Sequence, residues 1–464
     1  MFSVETYVQR RKGLREKLDS GIILFLGHED SSMNYKANIY PFHQDSSFLY
    51  YFGLEEPSLA AIIDIDNEKE MVFGDNLTVN DLVFTGPVLT VSERSQACGI
   101  TNTDNLAKLA EILKEAKDKQ RNIHYIPQFR PENMLAIQRL LGIDADQVND
   151  HVSVPLIKAI ISQRMYKTDM EIQEIEKALD ISYKMHILAM KLSKPGMYEY
   201  EVTGQLEGLA YAHNTRTTFP LIFSVHGEIL HNLTHLNMMK DGDWVVHDSG
   251  VESPNHYCSD ISRTFPVNGK FTPRQRDLYT IAPNSQLKAI KMCQPGIIFR
   301  DVHKAAARVI LSGLKDLGII KGEVDDALAA DAHTLFFPCG TGHNMGLDIH
   351  DMENLGEQYI GYNEQVKRSD KFGWCSLRMG RALEPGFVMT PEPGIYFIPQ
   401  LMDMWEADNK CTDFINYDKL KSFRDAGGVR AEDDVLITAD GYKVLGKPIP
   451  KTIDEIEAVC GSDV

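Results

Sequence analysis

The sequence contains no CxxC pair, no apolar run long enough to cross a bilayer and no excess of basic residues. Its seven cysteines are scattered and odd in number, which argues against a zinc knuckle or a disulfide framework and for reduced thiols. The longest apolar stretches, such as GIILFLG at 21–27, fall far short of a membrane span, so no membrane partner is expected. The opening MFSVETYVQRRKGLREKLDSG is charged and helical in pattern and lacks the apolar core of a secretion signal. Together these features predict a cytoplasmic protein. A net charge of −18 and a pI near 5.3 repel phosphate backbones, so nucleic acid is not expected as a partner.

What is present fits a soluble globular enzyme. The chain has 464 residues, 43% hydrophobic and 25% charged, enough for two or three cores. The first part reads as α/β: a strand at 21–27, a hairpin over 60–74 around Asn67, an amphipathic helix within 103–118 and a strand at 122–128. From Asp169 a long helical pattern places Ile172, Ile175, Leu179 and Tyr183 on one face, and Lys194-Pro195-Gly196 ends it. A domain boundary is expected near residue 160, giving domains 1–160 and 161–464.

The second part repeats itself. KPGMYEYEV (194–202) has a counterpart in QPGIIFRDV (294–302), and DGDWVVHDSG (241–250) has one in EPGFVMTPEPG (384–394). Gly242 precedes Asp248 as Gly386 precedes Glu392, and each acid is followed by X-Gly. ILHN around His231 parallels DIHD around His350. This pattern predicts two similar α/β halves facing each other.

Each half also carries a second acid on a strand-like run, Asp260 in SDISRTFPV and Glu432 in GVRAEDDVLIT. Buried carboxylates brought together repel unless cations compensate them. Four acids and one imidazole make a hard donor set for two divalent ions. Such ions sit roughly 3.5–4 Å apart and hold a bridging hydroxide for hydrolysis. Taken singly, each acid has a plainer reading. An Asp after a strand is often a turn or cap residue, Glu432 could belong to a solvated acidic patch, and Glu392 could merely shape a bend. The shared repeat position is what argues for a site.

The stretch GTGHNMGLDIHD (340–351) sets His343 and His350 seven residues apart among three glycines. The glycines oppose a helix and predict a strand or tight turn in which backbone approaches something closely. A histidine met alone is more often a packed, hydrogen-bonded residue than a ligand.

GHNMGLDIHD, SDISRTFPV, TPEPGIYF and GVRAEDD together resemble the proline-specific metallopeptidases of the pita-bread fold, the aminopeptidase P and prolidase family. YPFHQDSSFLYYFGLEEP (40–57) looks like the amino-terminal domain of the same enzymes, so the resemblance covers nearly the whole chain. It implies a pita-bread catalytic domain with pseudo-twofold halves behind a smaller α/β domain. It also implies two divalent metal ions, manganese by family habit, held by Asp248, Asp260, His343, Glu392 and Glu432. Asp260 and Glu432 would bridge the ions, Asp248 would bind one, and His343 with Glu392 the other. Glu392 would help activate the bridging water, while His231 and His350 would bind substrate or steady the tetrahedral intermediate. Arg378 resembles an arginine that grips a substrate carboxylate in prolidase, and Arg430 would support the carboxylates from behind.

The activity so implied is hydrolysis of the bond before a proline at the second position of a peptide. The N-terminal motif favours an Xaa-Pro aminopeptidase. The alternative is an Xaa-Pro dipeptidase, to which Arg378 and the insertion at 398–420 point. A more distant alternative is a non-catalytic pita-bread binding protein, against which the complete ligand set argues. Family members are often dimers or tetramers, so a homo-oligomer is expected. Three departures stand out. Asp248 and Asp260 are twelve apart where eleven is usual, which predicts a bulge within ESPNHYC (252–258). Ala431 replaces a branched residue, and Pro391 removes a backbone donor before Glu392. Cys258 and Cys339 read as packing residues, and His226 and His235 have no assignable role.

Overall fold

The computed structural model describes residues 1–462. They form two compact units: Met1–Met165 with Met352–Ile360, and Tyr166–Asp351 with the chain from Gly361 onward. No helix among the described residues is long and apolar enough to cross a membrane.

The first unit is built on a five-stranded mixed sheet. Its strands are β1 (Ile22–Leu26), β2 (Ala60–Asp64), β3 (Lys69–Phe73), β4 (Thr103–Asp104) and β5 (Ile123–His124), ordered β4-β3-β2-β1-β5. β1 is buried on both faces, which explains its unbroken apolar run. Ile22, Leu24 and Leu26 join Leu109, Leu113, Ile137 and Leu141 in one core. Phe25 faces the other way, onto Tyr51 and Phe52 of the helix Ser46–Phe52. β2 and β3 form the hairpin around Asn67, whose amide and side chain both bond Asp64. The strand expected over 122–128 is reduced to two residues, because the chain soon reaches Pro127, which has no N–H to give a ladder.

The second unit shows the internal repeat. Helix Asp169–Leu192 is followed by helix Glu199–Ala212, and helix Pro273–Met292 by helix Phe299–Asp316. The two connecting turns are alike in detail. Gly196, at φ +92°, donates its N–H to the Met239 carbonyl, and Gly296, at φ +81°, donates to that of Leu383. Beside them Tyr198 bridges Met238, as Ile298 bridges Ala382.

The strands of this unit are β6 (Ile222–Ser224), β7 (Trp244–Ser249), β8 (Ile261–Pro266), β9 (Val388–Met389), β10 (Gly394–Tyr396), β11 (Gly428–Arg430), β12 (Val435–Thr438) and β13 (Gly441–Val444). They pair as β6-β7-β8, β13-β12-β9 and β10-β11. β8 and β11 meet where the Thr264 hydroxyl bonds both the N–H and the carbonyl of Arg430, and the Glu432 N–H reaches the Ser262 carbonyl.

The hairpin joining β7 to β8 carries no bulge in its strands. Its register runs unbroken from Asp248 opposite Ser262 to Glu252 opposite Cys258. The extra residue is taken up in the turn at 253–257, where His256 adopts a left-handed φ of 64°. The insertion at 398–420 is folded: helix Pro399–Ala407 buries Met402 and Trp405, and Ile415 bridges Ile320.

Candidate metal centre

β-sheet alternation brings the first two acids together. Asp248 lies opposite Ser262 on the β7–β8 ladder, so their side chains share a face, and Asp260, two residues before Ser262, shares it too. His247 points to the other face, where its ring meets that of His186 at 4.1 Å. From the second half, Arg430 and Glu432 are also two residues apart and reach the same place. Arg430 Nη2 donates to Asp248 Oδ2 at 2.5 Å, Nε to Ser262 Oγ at 3.0 Å and Nη1 to the Tyr396 hydroxyl at 3.1 Å. Ser262 in turn donates to Glu432 Oε2 at 2.8 Å.

His343 and Glu392 arrive on a second short ladder. His343 and Thr390 bond each other twice, through the His343 N–H to the Thr390 hydroxyl and the Thr390 N–H to the His343 carbonyl. The Glu392 N–H then bonds the Thr341 carbonyl at 2.7 Å. Residues 390 and 392 face this ladder and residue 391 faces away, so the donor missing from Pro391 is not one the ladder uses. The glycines permit the closeness. A Cβ on Gly342 would lie 2.1 Å from the Thr390 carbonyl oxygen, and one on Gly340 would lie 2.7 Å from that of Ser376.

All nine candidate residues line one cavity of about 530 Å³: His231, Asp248, Asp260, His343, His350, Arg378, Glu392, Arg430 and Glu432. His343 Nε2 stands 3.4 Å from Asp260 Oδ2 and 3.6 Å from Glu392 Oε1. Donor atoms of Asp260, His343 and Glu432 all fall within 4.8 Å of one another. The His350 ring stands edge-on to His343 at 4.2 Å. The remaining wall includes Phe219, Pro220, Leu230, Leu233 and Ile349.

The electrostatics of this cluster call for cations. Asp248 Oδ1, Asp260 Oδ1 and Glu432 Oε1 are buried oxygens without a hydrogen-bond partner among the described residues. Buried unpartnered acceptors of this kind are costly. Burial pushes the Asp260 carboxyl well above the ordinary range, and neighbouring Asp248 adds to it. Burial and the charge of Asp260 do the same to Glu432. Burial raises Glu392 to about 8, although Arg430 pulls it down. Four carboxylates and an imidazole, with open oxygens turned on a shared space, fit divalent cations. His231 is lowered by burial and by the charge of Arg430, so its ring is neutral at neutral pH.

Other side chains support this arrangement without sequence signals of their own. Ser262 and Tyr396 hold Arg430, and Asp434 Oδ2 accepts the Asp260 N–H at 3.1 Å. Asp434 is the last residue of GVRAEDD, Tyr396 the last but one of TPEPGIYF, and Ser262 lies within SDISRTFPV, the only hint any of them gave. His235 is structural, bonding the Leu221 carbonyl at 2.9 Å, and His226 is paired with Glu228. Cys258 packs, with its N–H on the Gly346 carbonyl. Cys339 does more than pack, because it lines the cavity beside the carboxylates, where burial pushes its thiol up to about 12.

The raised carboxyls fix how pH acts on the metal-free protein. The folded chain keeps these protons where the unfolded chain has already lost them. The cluster's contribution to stability therefore falls as pH rises from the ordinary carboxylate range through about 8. A divalent cation takes the place of those protons. Added divalent metal is expected to raise the Tm of chelator-treated protein more near pH ~8 than near pH ~5. An equal metal-induced shift at both would contradict the cluster's electrostatics.

Comparison with known proteins agrees with this chemistry. Residues 173–439 match metallopeptidase family M24, and residues 7–124 match the aminopeptidase P N-terminal domain. The human Xaa-Pro dipeptidase is 32% identical over 447 residues, covering 94% of this chain and 88% of that protein. The Xaa-Pro aminopeptidase of Escherichia coli is 27% identical, covering 98% of each. The structure of Escherichia coli aminopeptidase P with the inhibitor Pro-Leu superposes with a TM-score of 0.80 over 99% of this chain and 98% of that one. Pseudomonas aeruginosa aminopeptidase PepP gives 0.79 at 26% identity, over 99% of this chain and 98% of that one. With its pita-bread fold, its amino-terminal domain and a donor set suited to divalent metal ions, the chain belongs to metallopeptidase family M24.

Proposed function

We propose that this protein is a dinuclear Xaa-Pro aminopeptidase, releasing the first residue of peptides with proline at the second position. The observation that carries the reading is the cavity itself. One wall is five metal-type donors, and the other is His231, His350 and Arg378 beside an apolar surface. In this reading Asp248, Asp260, His343, Glu392 and Glu432 would hold two divalent ions, manganese by family habit. Ions held there would supply Lewis acidity and a nucleophile at neutral pH.

The chain's own groups do the rest. Glu392, whose side chain is a fifth exposed, faces the cavity and takes up the proton released from water. His350, beside His343, and the neutral His231 donate hydrogen bonds to the oxyanion as the scissile carbonyl becomes tetrahedral. Arg430 hydrogen-bonds Asp248 and fixes its orientation as a ligand. The apolar wall of Phe219, Pro220, Leu230, Leu233 and Ile349 suits a proline ring. A bond before proline lacks an N–H, so recognition there depends on shape and on the carbonyl.

Arg378 favours a second reading, an Xaa-Pro dipeptidase, because a guanidinium on the cavity wall can fork onto the free carboxylate of a dipeptide. The dipeptidases among the relatives support it. The insertion does not, since no residue of 398–420 is among those lining the cavity. The protein is further read as a cytoplasmic homo-oligomer, a dimer or tetramer, in keeping with the family.

Two measurements test the reading. Metal-loaded protein should cleave an Xaa-Pro-Xaa tripeptide at least as fast as an Xaa-Pro dipeptide. Cleavage of the dipeptide alone would transfer the assignment to the dipeptidase, and cleavage of neither would end it. Asp260→Asn should lose metal and activity together. Full metal content in that variant would remove Asp260 from its place between the ions.

A further inference from the structure

Asp351, which closes the GTGHNMGLDIHD stretch, takes no part in the chemistry above. It is nonetheless one half of a deeply buried ion pair. Lys167 Nζ stands 2.9 Å from Asp351 Oδ2, and both side chains are 1% exposed. Removing two charges from water is costly, so such a pair stands out as a device for fixing geometry.

The Asp351 carboxylate closes the turn that carries His350. Its Oδ1 accepts the Asp348 N–H at 3.4 Å, while the Asp351 N–H reaches back to the Asn344 carbonyl at 3.0 Å. Within the turn the Gly346 N–H bonds the Asp348 carbonyl at 3.0 Å. Gly346 makes the pair possible: a Cβ there would lie 2.5 Å from Asp351 Oδ2 and 2.9 Å from Lys167 Cε. Lys167 is itself fixed, its N–H bonding the Gly386 carbonyl at 2.9 Å. His350 is the residue just before this anchor. His343 is anchored differently, by its two bonds to Thr390, and the Met345 N–H bonds the Val388 carbonyl at 3.1 Å. Each half of the loop thus has a support of its own, and the bond from the Asp351 N–H to the Asn344 carbonyl joins the two.

We infer that the buried Lys167–Asp351 pair is the positioning element for His350, and that it acts on His350 without acting on His343. The inference rests on reading His350 as the histidine that meets substrate. It makes Lys167 and Asp351 positioning residues for the reaction, far apart in sequence and out of contact with the peptide.

The test is Lys167→Met in the full-length, metal-loaded protein. Amide hydrogen exchange should rise over 346–351 and stay unchanged over 343–345 and 388–390, with metal content intact. The kcat for an Xaa-Pro tripeptide should fall by roughly 10- to 100-fold, the scale of a misplaced contact group. The same substitution should cost almost nothing more in a His350→Ala background. Exchange that rises equally in both halves of the loop, or in neither, would overturn the inference. So would a kcat penalty that persists in full without His350. Should Lys167→Met fail to fold with its buried carboxylate stranded, Lys167→Met with Asp351→Leu removes both charges and is read by the same exchange pattern. Lys167→Arg should restore protection over 346–351. A wild-type protein that cleaves no Xaa-Pro peptide would overturn the functional reading instead, and the exchange pattern would still decide the pair.

Discussion

Four carboxylates share one buried pocket, and the elements around it are arranged to hold them there. Like charges at this spacing repel, and burial removes the water that would screen them. Arg430 neutralises part of the charge through Asp248. It leaves Asp260, Glu392 and Glu432 with raised proton affinities and three acid oxygens without a hydrogen-bond partner among the described residues. A fold that carries such a cluster spends stability on it, and divalent cations bound there would return that stability.

The repeat supplies the geometry. Each half brings a ladder on which alternate side chains face the same way, Asp248 with Asp260 in one and His343 with Glu392 in the other. Ser262 links the two by hydrogen-bonding both Arg430 and Glu432. Glycine permits the closeness this demands, since a Cβ on Gly342 would overlap the Thr390 carbonyl.

Much of this was legible in the sequence, and the gaps have physical causes. Acids at matching positions on strand-like runs, repeated after similar Pro-Gly turns, exposed the symmetry. The glycines of 340–346 signalled close backbone approach, and the structure shows whose backbone. Local reasoning was weaker where register decides. The extra residue between Asp248 and Asp260 suggested a bulge, yet a turn tip absorbs it at less cost than breaking ladder bonds. The strand at 122–128 ran past what Pro127 allows. Pairings distant in sequence left no trace: Lys167 and Asp351 are 184 positions apart. Nothing in composition marks Met352–Ile360 as belonging with the first compact unit. Cys339 was read as packing because a lone thiol carries no motif.

Whether these five donors hold two cations, as proposed, is decided by anomalous diffraction at a manganese absorption edge from crystals grown with Mn2+. Two peaks per chain are expected, roughly 3.5–4 Å apart, each within bonding distance of both Asp260 and Glu432. A single peak, or two peaks that do not share those carboxylates, would contradict the proposal.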